Sequence, residues 1–354
     1  MALRNGVSRL DSALAGPLWR TRRRRSPSAR LSLSFALQGG GAHGAFTWGA
    51  LDRLLEEDWL EVDGLSGASA GALNAAALAG GWLEGGRSGA RDSLETLWRR
   101  VSGLGEFRPP SAVSPALDMM TRLFSPYQLN PLGLNPLRAV LEEVIDFEAL
   151  QLAETPRLFV SATELKRGRA VLFENPDMTV ETLLASACLP HLYRAVAIDG
   201  AHYWDGGFMA NPTIFPLVFH CDSRDVMIIQ IDSLTTDEVP QSARQINNRR
   251  SQIVFNAPLM RELEALGYMG RMAGRGQGRG GLAGKVRGLN LHLLEGGEAM
   301  RALDVSSKQR ADWGFFKELR SIGREAAAAW LERHAAELGA RSTLVLDETD
   351  AQSG

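Results

Sequence analysis

The chain has 354 residues, 45 % of them hydrophobic and 23 % charged, with a formal net charge of −2. That is ample apolar material for one large domain or two ordinary ones, and a charge so balanced points to no nucleic-acid partner. Two cysteines, Cys188 and Cys221, are too few for a disulfide framework and lack metal-ligand spacing, so a reducing compartment and no bound metal or cofactor are expected.

Residues 1–30 carry eight arginines against one acid, Asp11. They read as a basic, disordered tail, and arginine clusters of this kind are drawn to anionic membrane surfaces. The apolar stretches of the tail are broken by Arg9, Asp11 and Pro17, and its basic run follows them, unlike a secretory signal. No run approaches the ~18 apolar residues of a membrane span. The expectation is a cytoplasmic chain whose Arg-rich segments make peripheral contact with an anionic membrane.

"LSLSFAL" (31–37) predicts a strand, and "AFTWGALDRLLEE" (45–57) has helical apolar spacing. "LEVDGLSG" (60–67) predicts a second strand, followed by an Ala-rich helix that the Gly80-Gly81 pair should end. Strand–turn–helix twice in succession is the signature of a parallel sheet with helical crossovers. Helices are expected over 91–101 and over 135–145, the latter capped by Asn135. Strands follow at 157–165 and 169–174, with a hairpin over 195–207 turning at Asp199-Gly200. Asn211-Pro212 reads as a helix start. "DVMIIQID" (225–232) is apolar enough for a buried parallel strand. A long helix over about 240–267 precedes a mobile Gly/Arg-rich loop at 270–288, which offers a further contact for anionic head groups. "NLHLLE" predicts a last strand, a final helix covers about 308–338, and 339–354 forms an acidic tail. The fold class is therefore α/β, with one domain over 31–338.

Two motifs in the first half carry chemistry. "QGGGAHG" contains Gly39-x-Gly41-x-x-Gly44, which follows a strand and opens a helix. A dinucleotide-binding oxidoreductase is one reading, with Asp63 as the ribose-holding acid. The other is an oxyanion hole, in which the amides of Gly39, Gly40 and Gly41 meet the positive end of a helix dipole. Gly67-Ala68-Ser69-Ala70-Gly71 then matches a nucleophile elbow, a strained strand-to-helix turn that exposes its serine. Nothing in a dinucleotide site calls for such a serine. The Ala70 amide, next in the chain, would add an oxyanion donor.

A serine nucleophile needs a base. Six histidines are present, and a hydrolase triad would place its histidine last in the chain. His292 lies in a strand pattern and His334 in a helix, so both read as structural. His43 sits in the glycine loop and is expected to line a pocket. In "YWDGGFMANPT" (203–213), Asp205 precedes Gly206 and Gly207. Beside aromatic residues its carboxylate would be desolvated and made more basic, and a carboxylate bonded directly to the serine suffices for proton transfer. By spacing alone, Asp205 fits a turn as well as it fits a base.

"QGGGAHGA", "GASAG" and "DGG", in this order and spacing, resemble the patatin-like phospholipases. The resemblance runs from Leu31 to about Trp330. It takes in "ASACLPHLYRAVAIDG", "NNRRSQIVFNAPLMRELEAL" and "SSKQRADWGFFKELRSIGREAAAAWL", which are similar to blocks of bacterial members. The resemblance implies a three-layer α/β/α sandwich and hydrolysis of lipid esters by a Ser–Asp dyad. Ser69 would be the nucleophile, Asp205 the base, Gly39, Gly40, Gly41 and Ala70 the oxyanion hole, and Gly44, Gly67, Gly71, Gly206 and Gly207 the supporting glycines. Gln38 and His43 depart from the family, which often has Asp and Arg or Lys there, so head-group preference is open. Phospholipids, neutral lipids and polyesters all fit the chemistry, and a non-catalytic lipid-binding protein would share the fold. An acyl groove is expected from the 105–134 region or the helix face bearing Trp313, Phe315 and Phe316.

Overall fold

Eight strands form one sheet in the computed structural model, which describes residues 30–106, 125–236, 239–275 and 281–344. The strands are β1 (Leu31–Leu37), β2 (Leu60–Gly67), β3 (Arg157–Glu164), β4 (Arg169–Phe173), β5 (Val196–Ile198), β6 (Ala201–Asp205), β7 (Asp225–Gln230) and β8 (Asn290–Glu295). The helices are α1 (Gly44–Leu54), α2 (Ala70–Glu106), α3 (Pro126–Leu129), α4 (Leu137–Val144), α5 (Phe147–Leu152), α6 (Val180–Ser186), α7 (Phe215–His220), α8 (Ala243–Arg275), α9 (Gly281–Arg287), α10 (Gly297–Arg301) and α11 (Trp313–His334). β3, β2, β1, β7 and β8 run parallel in that spatial order, and β4, β5 and β6 join antiparallel.

The period-2 alternation of the strands divides the molecule into layers. Leu33, Phe35 and Leu37 of β1 and Met227 and Ile229 of β7 face a core shared with α1, α2 and α11. Ala36, Val226 and Ile228 face the opposite core, which is shared with α7 and α8. Every residue of β7 is buried, as a central parallel strand covered on both faces requires. The mainly parallel α/β architecture expected from the sequence is therefore present.

The edge of β3 decides where the site lies. Val160 pairs with Gly67 of β2 and with Phe173 of β4, whereas Ala162 pairs with Val171 of β4 and with Asp205 of β6. So β4 follows one edge of β3, while β2 and β6 meet end to end along the other. β2 leaves the sheet at Gly67 where β6 arrives at Asp205, and residues 138 positions apart in sequence become neighbours.

Four local expectations change. The helix after Ser69 runs through Gly80 and Gly81 and breaks at Gly85-Gly86, where the backbone leaves helical geometry. Gly81 and Gly89 instead let the two arms of the kink touch, since a Cβ on Gly81 would sit 2.3 Å from the Gly89 oxygen. Asn211-Pro212 is a cis peptide in a bend, and the next helix begins at Phe215. The span read as a mobile loop at 270–288 is helical at both ends, in α8 to Arg275 and in α9; residues 276–280 lie outside the described residues. Of the acidic tail, Thr343 and Leu344 donate to the Leu291 oxygen of β8 (both 3.0 Å). Residues 345–354 lie outside the described residues, as do the basic tail up to residue 29 and residues 107–124 of the expected acyl groove. Among the described residues no helix is long and apolar enough to cross a membrane.

α1, α2 and α11 are pinned by one carboxylate. Asp52 is almost wholly buried and accepts from Arg91 (2.7 Å), Arg320 (2.9 Å) and Arg324. These guanidinium groups hold its carboxyl below the usual range. Removing it leaves three arginines at a helix junction, with Glu56 the remaining close carboxylate for Arg91 and Arg324. Asp52→Ala should therefore cost about 3 kcal/mol of stability, the low end for a broken buried pair because the arginines still reach water; urea unfolding followed by circular dichroism measures it.

Candidate active site

The chain turns from β2 into α2 at Ser69, whose φ of 52° lies in the left-handed region that a residue with a Cβ rarely adopts. Gly71, in the first turn of α2, permits this turn, because a Cβ there would lie 2.1 Å from the Leu37 oxygen of β1. Gly67 closes β2 on the other side. The Ser69 amide donates to Ser186 Oγ (3.0 Å) at the end of α6. Ser66, the other serine of this stretch, is buried and donates to the Thr213 carbonyl (2.6 Å).

Asp205 ends β6 and is 1 % exposed. Its carboxylate accepts a hydrogen bond from the Gly207 amide (2.7 Å) and lies beside the Ser69 hydroxyl. Burial disfavours the charged form and pushes its pKa up to about 6; the hydroxyl and the amide offset only part of that. Gly206 and Gly207 open a 3-10 turn in which a Cβ on Gly206 would meet the Ser161 oxygen of β3. Asp199 sits at a positive φ of 47° in the β5–β6 hairpin turn, as expected of a turn residue.

The glycine loop arrives from β1. Gly41 has φ 58°, and a Cβ there would strike the Lys308 oxygen at 2.4 Å. Gly44, the first residue of α1, packs against Ala70. One expectation needs correcting: the Gly39 amide donates to Asn211 Oδ1 (2.7 Å), so it is spent on holding the loop and is not free to meet an oxyanion. No acceptor among the described residues takes the amides of Gly40, Gly41 or Ala70. Gly41 and Ala70 line the same cavity as Ser69; Gly40 does not.

These three segments are the ones the family resemblance rests on. The description Patatin-like phospholipase matches residues 35–218, just over half of the chain. The chain belongs to the patatin-like phospholipase family. Two solved structures are similar over most of this patatin-like chain. VipD from Legionella pneumophila has 14 % identity and a TM-score of 0.36, over 84 % of this chain and 67 % of that one. A chain from the complex of full-length SpcU with full-length ExoU of Pseudomonas aeruginosa has 16 % identity and a TM-score of 0.28, over 87 % and 72 %. No curated protein matches significantly. Membership of the family supports lipid acyl hydrolase activity in general.

In this patatin-like chain Ser69 opens onto a cavity of about 220 Å³ that is continuous with solvent. Leu73, Leu97, Trp98, Val101, Leu104, Leu137, Leu189, Leu192 and Phe316 make most of its wall apolar. Among the described residues proposed for a groove, only Phe316 takes part; Leu104, just before the expected 105–134 span, lines the cavity as well. Trp313 stacks on Trp48, and Phe315 packs against His43 and beneath Arg310. Residues 125–134 do not line the cavity.

His43 is also displaced from its expected place. It is buried against Phe315, its Nε2 lies 2.7 Å from Ser307 Oγ, and it does not line the cavity. Burial, and then the charge of Lys308, push its pKa down to about 4, so it is a neutral brace near pH 7. His292 lies between Asp225 (3.0 Å) and Thr343 (3.1 Å), and His334 meets Glu337. Both are structural, as their sequence context indicated. Asp63 accepts the amides of Asp222 and Ser223 (2.8 and 2.6 Å), which removes the ribose-holding acid from the dinucleotide alternative. Among the described residues no cluster of His, Cys, Asp and Glu could hold a metal ion.

Sequence reasoning missed the supports. Gln38 Oε1 accepts the amides of Ile231 and Asp232 (2.7 and 2.8 Å), and its Nε2 donates to Asn256 of α8 (2.7 Å). Asn256 in turn donates to the carbonyls of Asp232 and Ser233. This buried network fastens the start of the glycine loop to the end of β7, which explains why an amide serves at position 38: it must donate and accept at once. Asn256 lies within one of the family-like blocks, which is the only trace of this role in the sequence.

The burial of Asp205 has a measurable cost to stability. Its pKa in the fold lies above the unfolded value, so ionisation destabilises the fold as pH rises from about 4 through 6. Asp205→Asn keeps an acceptor for the Gly207 amide and removes the charge. The variant should be more stable than the parent by about 1–3 kcal/mol above pH 7, with the difference vanishing below pH 4; denaturant titrations at several pH values test this.

Proposed function

We propose that this protein is a serine acyl hydrolase that cleaves carboxylic ester bonds of lipids. The single observation that carries the reading is the Ser69 hydroxyl set beside the buried carboxylate of Asp205 at an apolar cavity. As Ser69 Oγ attacks the ester carbonyl, Asp205 takes the hydroxyl proton. The negative charge that develops on the carbonyl oxygen is met by the Gly41 and Ala70 amides, with Gly40 completing the turn. Asp205 returns the proton to the leaving alcohol. The same carboxylate then takes a proton from water, which attacks the acyl-Ser69 ester. The fatty acid leaves and Ser69 recovers its proton.

Each part of the site favours one demand of this reaction. The raised Asp205 pKa brings the base close to the operating pH without losing its ionised form at pH 7. The N-terminus of α2 adds the positive end of its dipole at Ala70. The mainly apolar cavity is suited to an acyl chain, and Lys308 and Arg310 add positive charge to its wall. Loss of one oxyanion donor should cost on the order of 10²–10³ in rate. In Gly41→Ala the new Cβ meets the Lys308 oxygen at 2.4 Å, so the loop must move and at least that loss is expected.

The pH profile gives the sharpest test. Because Asp205 works only when ionised, kcat/KM on a soluble short-chain ester should rise with pH and level off above about 6. Below the bend it should fall about tenfold per unit. Ser69→Ala and Asp205→Asn should each lower kcat by at least about 10³. A lipid-binding protein without catalysis would show no turnover in any of the three. A histidine base elsewhere would leave Asp205→Asn active.

A further inference from the structure

α8 has two faces with different work. Its inner face buries Leu259, Leu263 and Leu266, and Asn256 holds the glycine loop. Among the described residues no element packs over its outer face. Ile246, Ile253, Val254, Met260, Tyr268 and Met272 are 37–60 % exposed on it. The spacing from Ile246 to Ile253 to Met260 is seven residues, and Tyr268 follows eight later, so at about 100° per residue they form one stripe along the helix.

We propose that the outer face of α8 is a docking surface for an anionic lipid bilayer. Charge selects this occupant. Arg250, Arg261 and Arg271 are exposed among the apolar residues, against the single acid Glu264. Among the described residues neither Arg250 nor Arg261 has a carboxylate partner, and Arg271 lies over the Tyr268 ring. Exposed apolar side chains interleaved with unpaired arginines suit a surface that is apolar beneath and negative above. Position agrees. The N-terminal half of α8 runs beside the 304–309 segment, with Arg244 and Asn248 on Asp304 and Phe255 beneath Lys308. Lys308 lines the cavity that contains Ser69. Arg244, Asn248 and Phe255 project from the side of α8 opposite the stripe, so a bilayer docked on the stripe would lie about one helix diameter, ~10 Å, from that cavity wall. The choice of a bilayer rather than a protein rests on the hydrolase reading.

The test uses the full chain carrying Ser69→Ala, so that vesicles stay intact, in co-sedimentation with phosphatidylcholine vesicles with or without roughly one-third phosphatidylglycerol. Binding should require phosphatidylglycerol and weaken with salt. Adding Arg250→Glu with Arg261→Glu, or Ile253→Asp with Tyr268→Asp, should reduce binding more than about tenfold. In the catalytically intact background the same pairs should hold turnover of a soluble ester within about twofold, which also shows that the fold survives. Unchanged vesicle binding in both pairs overturns the proposal. So does loss of a dimer in these pairs by sedimentation velocity, which would make a second copy the occupant. If vesicles bind as predicted but soluble ester is not turned over, the hydrolase reading fails and the docking surface stands.

Discussion

An ionised carboxylate taken out of water loses several kcal/mol of hydration, and in this fold Asp205 recovers only part of it, from one backbone amide and one hydroxyl. The rest of the site is arranged around that charge. β2 has to stop at Gly67 so that β6 can take over the same edge of β3. The elbow has to force Ser69 to a positive φ so that its hydroxyl reaches the carboxylate. A fully solvated Asp205 would titrate near 4 and be a poor base, while one buried without the serine and the amide would stay protonated near pH 7. The hydroxyl and the amide, against complete burial, set it between these limits.

The second constraint is rigidity of the loop opposite. A glycine-rich loop carries a large entropic cost of ordering, and three buried amide side chains offset it. Gln38 and Asn256 fasten the loop to the end of β7, and Asn211 takes the Gly39 amide. Asn211 thereby couples the segment after Asp205 to the segment before Ser69. The arrangement also places α8 in a double role, since the helix that would meet the membrane is the one whose Asn256 steadies the loop.

Much of this was legible in the sequence because it depends on local pattern. The strand–glycine–helix succession, the elbow and the Asp-Gly-Gly turn each have a short-range signature, and the strands of the parallel core alternate between two apolar faces. What was not legible depends on pairing across the chain. Nothing in "QGGGAHG" shows that Gly39 spends its amide on Asn211, or that His43 turns toward Ser307 and away from the cavity. The helix break moved from Gly80-Gly81 to Gly85-Gly86 because Gly81 is used for a close approach to Gly89. The stripe on α8 is not legible because its inner and outer faces are both rich in apolar residues, so the helix carries no clear amphipathic signal.

The central claim is that a buried carboxylate, with no histidine, activates Ser69. Labelling with a fluorophosphonate, followed by mapping of the modified peptide, tests it most directly. The account predicts a single adduct on Ser69, formed at a rate that rises with pH to a plateau above about 6 and that collapses in Asp205→Asn while the fold persists. An adduct on any other residue, or labelling of Ser69 at the parental rate in Asp205→Asn, would contradict it.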